Sequence, residues 1–401
     1  MPSNTKIDLI CDAEKFKKLR NDWNFLVKNS IHPQPFLLWE WMFTWWEVYA
    51  RSSYELMIQA VYVDNKLVAL APFYVDNSHF LLKGRLRMIG EGEPFKDEVV
   101  SHFPDIITLS EFRKPVVSVV VDFLLLKEFS WRFGQFRFMI NNSVLNDIQQ
   151  KLSKHFDHHT VSSGQAYAID LPNTSEAYVE SLSRSMRKQF RSRLSRMEKS
   201  GEIRIVSAQE FDDPHAALEI LERLHRARWE KKGDACIFDS QAFKAFHKKL
   251  LDRFIDQGII DIRVMYHNDE AVAAVHNFNY NNRCYSYQSG FKSRDDRRFS
   301  PMLVFDVLEI QTLVSAGFIQ YHYLSAEGNV SYKEKFKCVT EPVFDRLWVR
   351  RGWQSSIIKD YLRLRTICVP QYKRFKALGM DSRLLRLKLS QLTKPASRIV
   401  N

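Results

Sequence analysis

The stretch from residue 283 to residue 337 constrains the fold more than any other part of the sequence. Residues 285–289 alternate between polar and apolar side chains, which is typical of a β-strand. After a basic loop, Ser300 and Pro301 predict a helix start, because serine is a favoured N-cap and proline a favoured first helical residue. Residues 318–324 read as the next strand. A strand–helix–strand unit of this kind predicts an α/β fold.

Two arginines, Arg297 and Arg298, directly precede the predicted helix start. Unpaired backbone N–H groups and the positive end of the helix dipole favour an anion such as phosphate at this place. An ordinary connection with solvated arginines would produce the same local pattern. The pattern alone therefore leaves both interpretations open.

Two further motifs lie upstream, at residues 181–191 and 224–229, and they read Ser-Leu-Ser-Arg-Ser-Met-Arg-Lys-Gln-Phe-Arg and Leu-His-Arg-Ala-Arg-Trp. The stretch at 283–337 resembles the acyl-CoA half of the GNAT acyltransferases. With the upstream motifs, the chain more closely resembles the acetyltransferase family associated with bacterial cellulose and exopolysaccharide synthesis, which is related to the FemAB-type peptide ligases. The resemblance covers roughly residues 35–350. Its most specific parts are Tyr287 to Phe291, Ser300-Pro301 and Tyr332-Lys333.

The resemblance implies two tandem GNAT-like domains, with the chemistry mainly in the second, and acetyl-CoA or another acyl-CoA as co-substrate without a metal. The GNAT phosphate loop has the pattern Arg/Gln-x-x-Gly-x-Gly/Ala. Here Arg297 is kept, but Ser300 and Met302 stand at the small positions. We predict that acyl-CoA binds at the loop and helix start formed by Arg297, Arg298, Phe299, Ser300, Pro301 and Met302.

Acyl transfer from a thioester needs a base for the acceptor, stabilisation of the oxyanion and an acid for the leaving thiolate. The resemblance implies that Tyr332 protonates the thiolate. His276, on a predicted strand beside Gln288, and Glu327, after the next strand, are the candidate bases. His225 is a further cleft candidate. Packing is the alternative for His276, His225 and Tyr332, because buried histidine and tyrosine side chains are common.

Five residues are expected to bind substrate. Arg187 and Arg191 lie one turn apart on a predicted basic helix over 175–199, so both could bind one anionic group. A solvated basic face is the alternative. Lys333 could bind phosphate or pair with Glu327. The expected substrate-binding residues are Arg187, Arg191, Trp229, Gln288 and Lys333.

The length of 401 residues favours two domains. A short repeat supports this division, because Tyr62 and Tyr266, like Val68 and Val272, are 204 residues apart in similar hairpin patterns. We predict a mixed α/β (α+β) fold with GNAT-like domains at residues 1–165 and 166–350 and a basic helical tail at 351–401. The polar residues 141–164 are expected to form a solvated connector before the second domain.

The net charge of +12 is unevenly distributed. Residues 351–401 hold twelve Lys/Arg and two Asp, a net +10, which leaves +2 for the rest. A basic tail predicts an anionic partner, and a membrane surface is the proposed one. The five cysteines lack zinc-site spacing, and the longest apolar run, residues 116–126, is too short to span a bilayer. We therefore expect a cytoplasmic protein, peripheral at the inner membrane face.

Three functions fit these patterns. The first is an acyl-CoA-dependent N- or O-acyltransferase acting on a sugar, a polysaccharide precursor or a related small acceptor of the cell envelope. The second is a FemAB-like ligase that takes an aminoacyl group from tRNA, the only nucleic-acid partner expected. The third is a non-catalytic module that tethers polysaccharide machinery. Hydrolase, NTPase and dinucleotide-binding functions are disfavoured, because the sequence lacks their motifs.

Overall fold

The computed structural model describes residues 5–78, 83–126, 131–230, 235–292, 299–326 and 331–352. Within these ranges the secondary structure alternates between strands and helices along the whole chain. In chain order the elements are β1 (Thr5–Ile10), α1 (Ala13–Lys18), α2 (Arg20–Asn29), α3 (Trp39–Tyr49), β2 (Tyr54–Val63), β3 (Lys66–Asp76), β4 (Arg85–Met88), β5 (Ile107–Thr108), α4 (Arg113–Leu124), β6 (Phe133–Ile140), α5 (Val144–Leu152), β7 (Phe156–Asp170), α6 (Ser175–Ser181), α7 (Arg184–Ser200), β8 (Ile203–Ser207), α8 (His215–Glu230), α9 (Gln241–Phe254), β9 (Ile260–His267), β10 (Glu270–Tyr280), β11 (Arg283–Phe291), α10 (Pro301–Ser315), β12 (Gln320–Ala326), α11 (Ser331–Glu334) and β13 (Val339–Arg350).

One continuous mixed sheet organises the protein. Its strand order is β1-β2-β3-β4-β6-β13-β7-β12-β11-β10-β9-β8, and β5 pairs with β3. The order is symmetrical about its centre, because each half of the chain contributes the same series. That series is an edge strand, helices, a three-stranded antiparallel meander, a helix, a strand parallel to the meander, another helix and a long strand. The predicted mixed α/β fold with two similar halves is confirmed.

The repeat seen in the sequence corresponds to equivalent hairpins. β3 spans residues 66–76 and β10 spans residues 270–280, so the two strands keep the offset of 204 residues. Asp64, Asn65 and Asn268 at the hairpin turns have φ angles of 48°, 62° and 55°. Asparagine and aspartate tolerate this left-handed conformation, so they are typical residues of tight hairpin turns.

The long strands are exchanged between the halves. β7 from the first half pairs with β12 of the second, β13 from the second half pairs with β6 of the first, and β7 and β13 pair with each other. The boundary expected near residue 165 therefore falls inside β7, where Gln165 lies opposite Ala326 and Pro342. The expected connector at 141–164 was wrong, because it contains α5 and most of β7. β7 is half-exposed and carries polar side chains, so its sequence lacks the apolar pattern expected of a strand that is paired on both sides.

An aromatic core joins the two halves. Phe36 and Trp41 of the first half lie 5.7 and 5.5 Å, between ring centroids, from Phe278 of β10. Trp41 also contacts Tyr287 of β11 at 5.7 Å. Burial of one such ring stabilises the fold by about 2–3 kcal/mol. The aromatic segment that contains Phe36 and Trp41 is thus core between the halves.

The predicted basic helix over 175–199 is two helices. Ser183 is the N-cap of α7, where its hydroxyl accepts a hydrogen bond from the Met186 amide at 3.2 Å. None of the described helices is long and apolar enough to cross a membrane. The predicted tail lies outside the described residues, except for Arg351 and Gly352.

Candidate functional site

The strands β11 and β12 run parallel, but they pair over three residues only. The pairs are Arg283 with Gln320, Cys284 with Tyr321 and Tyr285 with His322. Beyond them β11 stays paired with β10, and β12 stays paired with β7. A wedge-shaped gap therefore opens between residues 286–291 and residues 323–326. We call this gap the strand opening, and the pair Tyr285–His322 its apex.

Two irregularities at the apex bend the strands apart. The register of β10 with β11 shifts between His276 and Asn277, so that Tyr287 is an extra residue in β11. The register of β12 with β7 shifts between His322 and Leu324, and Leu324 has a φ of 60°. β-Bulges increase the local bend and twist of a strand. The strand opening is thus built into the backbone of both walls.

α10 begins after the end of β11. Pro301 is its first residue, as predicted, and Ser300 is its N-cap residue, but the Ser300 side chain makes no capping hydrogen bond. The amides of the first turn, which belong to Met302 and Leu303, therefore have no side-chain cap. Unpaired amides at a helix N-terminus favour an anion. Phe299 and Met302 pack, half-buried, against the hydrophobic cluster around α10, whereas Arg297 and Arg298 lie outside the described residues.

Lys333 of α11 lies beside the opening. Its Nζ donates a hydrogen bond to the carbonyl oxygen of Tyr323, at 2.6 Å, and lies 5.5 Å from the centroid of the Tyr167 ring. Burial lowers the pKa of Lys333 to about 8. The Lys333 ammonium is therefore held against Tyr323 of β12, one residue beyond the apex. Its lowered pKa allows it to release its proton slightly above neutral pH. Glu327 and the side chain of Tyr332 lie outside the described residues, so their predicted roles stay predictions.

His225 and Trp229 form a packed pair on α8. The indole Nε1 of Trp229 donates to Nε2 of His225 at 2.9 Å, and Nδ1 of His225 lies 3.3 Å from the sulfur of Cys236. Because an indole N–H can only donate, Nε2 is the acceptor and Nδ1 carries the proton. Burial lowers the pKa of His225 to about 4. The expected cleft position was wrong, because both ring nitrogens are engaged inside the protein.

α8 also supports one wall of the opening. Gly290 of β11 faces this helix, and a Cβ atom at Gly290 would lie 2.5 Å from the backbone nitrogen of His225. Only glycine allows so close an approach of strand and helix backbones. The position of β11 therefore depends on the contact between Gly290 and α8.

His276 lies in the core. It is 1% exposed, and its ring lies 5.2 Å from that of His247 on α9 and 5.7 Å from that of Tyr287. Its Nε2 has no hydrogen-bond partner among the described residues. Gln288, opposite it in the ladder, faces the same side of the sheet. The expected orientation of His276 toward a cleft was wrong, since its ring packs under α9.

Replacing His276 with phenylalanine should reduce the loss of stability in acid. Burial lowers the pKa of folded His276 to about 3, whereas an unfolded histidine has a pKa of about 6.5. The unfolded state alone takes up a proton as the pH falls from 6.5, so the stability present above that pH is lost toward pH 3. Between about pH 7.5 and about pH 5, we expect His276→Phe to lose about 2 kcal/mol less unfolding free energy than the wild type.

Urea unfolding of both proteins at the two pH values measures this difference. The exposed His155→Phe substitution is the control for the loss of a histidine at the surface. An equal loss of unfolding free energy in the wild type and His276→Phe would show that His276 takes up its proton in the folded protein.

The basic face of α7 differs from the prediction. The guanidinium of Arg187 donates to the carbonyl of Leu182 at 2.8 Å and also to that of Glu180, so it closes the end of α6. Arg191 is exposed. Nη1 of Arg187 is therefore engaged at the end of α6, and only the remaining N–H groups of this side chain could bind an anion together with Arg191. The exposed cations Arg184, Lys188 and Arg191 form no ion pair with any residue that the structure describes.

The corresponding place in the first half is filled. β4 and β6 pair in parallel at Arg85 with Phe133 and Leu86 with Gly134 only. Beyond that point a buried carboxylate, Glu91, accepts a hydrogen bond from the backbone amide of Arg137 in β6 at 3.2 Å. The place that corresponds to the strand opening is thus filled in the first half by Glu91.

Two residues at the apex had no signal in the sequence. Tyr285 and His322 stack with ring centroids 4.7 Å apart and an angle of 11° between the rings. They lie 37 positions apart, and a tyrosine and a histidine on separate strands follow no motif. In the part of the chain that the structure describes, no cluster of three His, Cys, Asp or Glu side chains could hold a metal ion.

Residues 184–334 match the family model described as an acetyltransferase (GNAT) domain. No curated protein sequence matches the chain. Among solved structures, the crystal structure of FemX is 9% identical and has a TM-score of 0.63, covering 89% of this chain and 100% of that chain. The C-terminal domain (DUF2156) of a putative lysylphosphatidylglycerol synthetase from Agrobacterium fabrum is 13% identical, with a TM-score of 0.50 and coverage of 88% and 97%.

A conserved protein of unknown function from Bacteroides thetaiotaomicron VPI-5482 is 10% identical, with a TM-score of 0.50 and coverage of 86% and 100%. At these identities the similarity concerns the fold alone. The strand opening lies within the matched residues 184–334. The chain therefore has a GNAT-like fold similar to that of FemX, and residues 184–334 in its second half match the model of an acetyltransferase (GNAT) domain.

Proposed function

We propose that the protein is an acyl-CoA-dependent N- or O-acyltransferase, with acetyl-CoA as donor. The observation that carries the proposal is the parallel pairing of β11 and β12, which stops after three residue pairs beside a helix start without a side-chain cap. The acceptor class follows from the family resemblance alone. It is a sugar, a polysaccharide precursor or a related small molecule of cell-envelope or exopolysaccharide metabolism.

The strand opening suits an elongated donor with an anionic end. On the side of β12, residues 286–291 of β11 have no strand partner among the described residues. Their backbone groups can therefore bind the amides of a pantetheine arm in the manner of an added strand. The first-turn amides of α10 can bind the pyrophosphate. In this orientation the thioester reaches the apex, near Lys333.

The chemistry at the apex requires charge stabilisation and proton transfer. The partly desolvated Lys333 ammonium can stabilise the oxyanion or the leaving thiolate, and its pKa of about 8 also allows proton exchange near neutral pH. Tyr332 remains the proposed acid for the thiolate, and Glu327 the proposed base, on the resemblance. His225 and His276 are left out of this mechanism because they are buried in the core.

Replacing Ser300 with aspartate tests the donor site. The carboxylate is a good N-cap, so the stability of α10 should stay the same or increase. The same carboxylate competes for the first-turn amides and repels the pyrophosphate. We expect the dissociation constant of CoA, measured by calorimetry, to rise about tenfold or more.

The matched control is Thr174→Asp. Thr174 is the N-cap of α6, and its hydroxyl accepts from the Ala177 amide at 3.1 Å. A carboxylate there places the same charge at a different helix start and should not alter CoA binding. Unchanged CoA affinity in Ser300→Asp, or an equal loss in Thr174→Asp, would refute binding at α10.

An aminoacyl-tRNA donor is the second candidate. The exposed α7 cations Arg184, Lys188 and Arg191 form no ion pair with a described residue, so this helix face suits a phosphate backbone. Calorimetry with CoA and filter binding with aminoacyl-tRNA separate the two donors. Saturable CoA binding without tRNA binding supports the first candidate. Binding of tRNA that weakens with salt, without CoA binding, supports the second.

Membrane attachment through residues 351–401 remains a further proposal. It is motivated by the net charge of +10 in that segment. Co-sedimentation with anionic vesicles should weaken as salt is added. A full-length protein that ignores such vesicles has no membrane-binding tail.

A further inference from the structure

A small apolar cluster lies at one end of the central strands. It consists of Phe133 on β6 and of Leu347 and Val349 on β13, which are 0%, 3% and 1% exposed. The half-buried Val161 of β7 packs against these three residues. We call the four residues the strand-end cluster. All of them belong to strands of the one sheet, so the cluster does not itself contain a covering layer.

The strand-end cluster lies on the face of the sheet opposite to α5. Trp348, between Leu347 and Val349, belongs to the core beneath α4 and α5, and its Nε1 donates to Gln149 of α5 at 2.9 Å. Because successive side chains of a strand point to opposite faces, Leu347 and Val349 point away from α5. An apolar sheet face is buried only when another element packs on it. The burial of these side chains therefore requires a cover.

A neighbouring cluster on the same face has such a cover. Val343 lies six residues before Val349 on β13, and Val100 and Phe103, from the segment between β4 and β5, pack against its cluster. At the strand-end cluster the guanidinium of Arg85 lies 5.2 Å from the centroid of the Phe133 ring. Arg85 belongs to β4 and hence to the same sheet. The cover of the strand-end cluster must come from another part of the chain or from a partner.

The chain itself continues from this cluster. β13 ends at Arg350, one residue after Val349. Gly352 then has a φ of 146°, a backbone conformation that favours glycine and allows the chain to reverse its direction. The residues after Gly352 thus start beside the cluster. Covalent attachment gives them an effective concentration on the order of millimolar, which favours them over any separate partner.

Residues 353–369 have the pattern of an amphipathic helix. Apolar side chains recur every three or four positions, at Trp353, Ile357, Tyr361 and Leu364. Lys359 and Arg363 fall on the opposite side of such a helix, and Pro370 ends the pattern. A helix of this length measures about 25 Å, whereas three neighbouring strands span about 10 Å. It is therefore long enough to cross β6, β13 and β7.

We propose that residues 353–369 form a helix that packs on the strand-end cluster of their own chain. Its apolar side cover Phe133, Leu347 and Val349, and Lys359 and Arg363 face water. Residues 370–401, which hold eight Lys/Arg and one Asp, a net +7, stay available to an anionic partner. The proposal goes beyond the proposed function and does not depend on the acyl donor.

Limited digestion of the full chain with trypsin tests this docking. Trypsin cleaves after lysine and arginine, and both parts of the tail offer such sites. They are Lys359, Arg363 and Arg365 in the proposed helix and Lys373, Arg374 and Lys376 beyond it. Because cleavage of a docked helix requires local unfolding, we expect cleavage within 353–369, followed by mass spectrometry, to be about tenfold slower or more. Equal rates in the two parts would overturn the proposal.

Substitutions on the apolar side of the segment test the same contact. Ile357→Gln combined with Tyr361→Gln removes two apolar side chains and keeps every cleavage site, so cleavage after Lys359 and Arg363 should accelerate about tenfold or more. The matched control combines Leu385→Gln with Leu389→Gln, which have the same spacing beyond Pro370, and should not change these rates. No acceleration in the first variant would overturn the docking. If that variant fails to fold, the ratio of rates in the wild type decides.

The same digestion distinguishes other covers of the cluster. We expect protection of residues 353–369 to be independent of protein concentration and of added vesicles. Protection that increases with protein concentration would assign the cover to a second copy of the chain. Protection that develops only with anionic phosphatidylglycerol vesicles would assign the segment to a membrane surface. Either result would overturn docking on the chain's own sheet.

Discussion

A Gly290→Ala protein should lose about 3 kcal/mol of unfolding free energy, measured by urea denaturation. The new Cβ atom would lie 2.5 Å from the backbone nitrogen of His225 and 2.9 Å from the carbonyl oxygen of Leu221. Both atoms belong to the backbone of α8, which cannot move aside in the way that a flexible side chain does. The strand must therefore shift away from the helix. Because β11 is one wall of the strand opening, we also expect weaker CoA binding.

Gly258→Ala is the matched control. Gly258 has a φ of 64°, and a Cβ atom there would meet nothing within 4 Å. Only the left-handed backbone opposes this alanine, at a cost of about 1–2 kcal/mol. If Gly290→Ala is no more destabilising than Gly258→Ala, the approach of α8 to β11 is looser than the structure indicates.

Fragments 1–173 and 174–401 should fold only together. The first fragment contains β7, whose two partners β12 and β13 lie in the second fragment. The second contains β13, whose other partner β6 lies in the first. Separation would leave strand edges unpaired and would expose the aromatic contacts between Phe36, Trp41 and Phe278. We expect co-expression to raise the soluble yield of each fragment on the order of tenfold.

The outcome is measured by co-purification of the two fragments and by a single cooperative unfolding transition. A fragment ending at residue 154, which lacks β7, is the control and should not rescue fragment 174–401. If either half gives a cooperative transition by itself, the halves are independent domains and the strand exchange contributes little to stability.

Local structure could be predicted from the sequence because its causes are local. Period-two patterns between turn-forming residues located β3 and β10, including their common offset of 204 residues. Pro301 marked the first residue of α10, since the N–H that proline lacks would have no partner within the helix at that position.

The roles of single side chains could not be predicted in the same way, because they depend on distant neighbours. His276 is a core residue because α9 packs against it, and His225 is one because Cys236 packs against it. Arg187 donates a hydrogen bond to the Leu182 carbonyl, directly after the end of α6 at Ser181. Residue type and spacing suggest what a side chain can do, but the environment decides whether it is charged, paired or accessible.

The sequence by itself determined the class of fold, the repeated hairpins and the start of the helix at the strand opening. Only the tertiary structure decided that β7 pairs with β12 of the second half and β13 with β6 of the first. Strand pairing depends on backbone hydrogen bonds between distant segments, so local side-chain patterns do not predict it. Only the tertiary structure placed Gln34 beside His322 in one cavity. Gln34 and His322 are distant in the sequence, and they line the same cavity because packing brings their segments together.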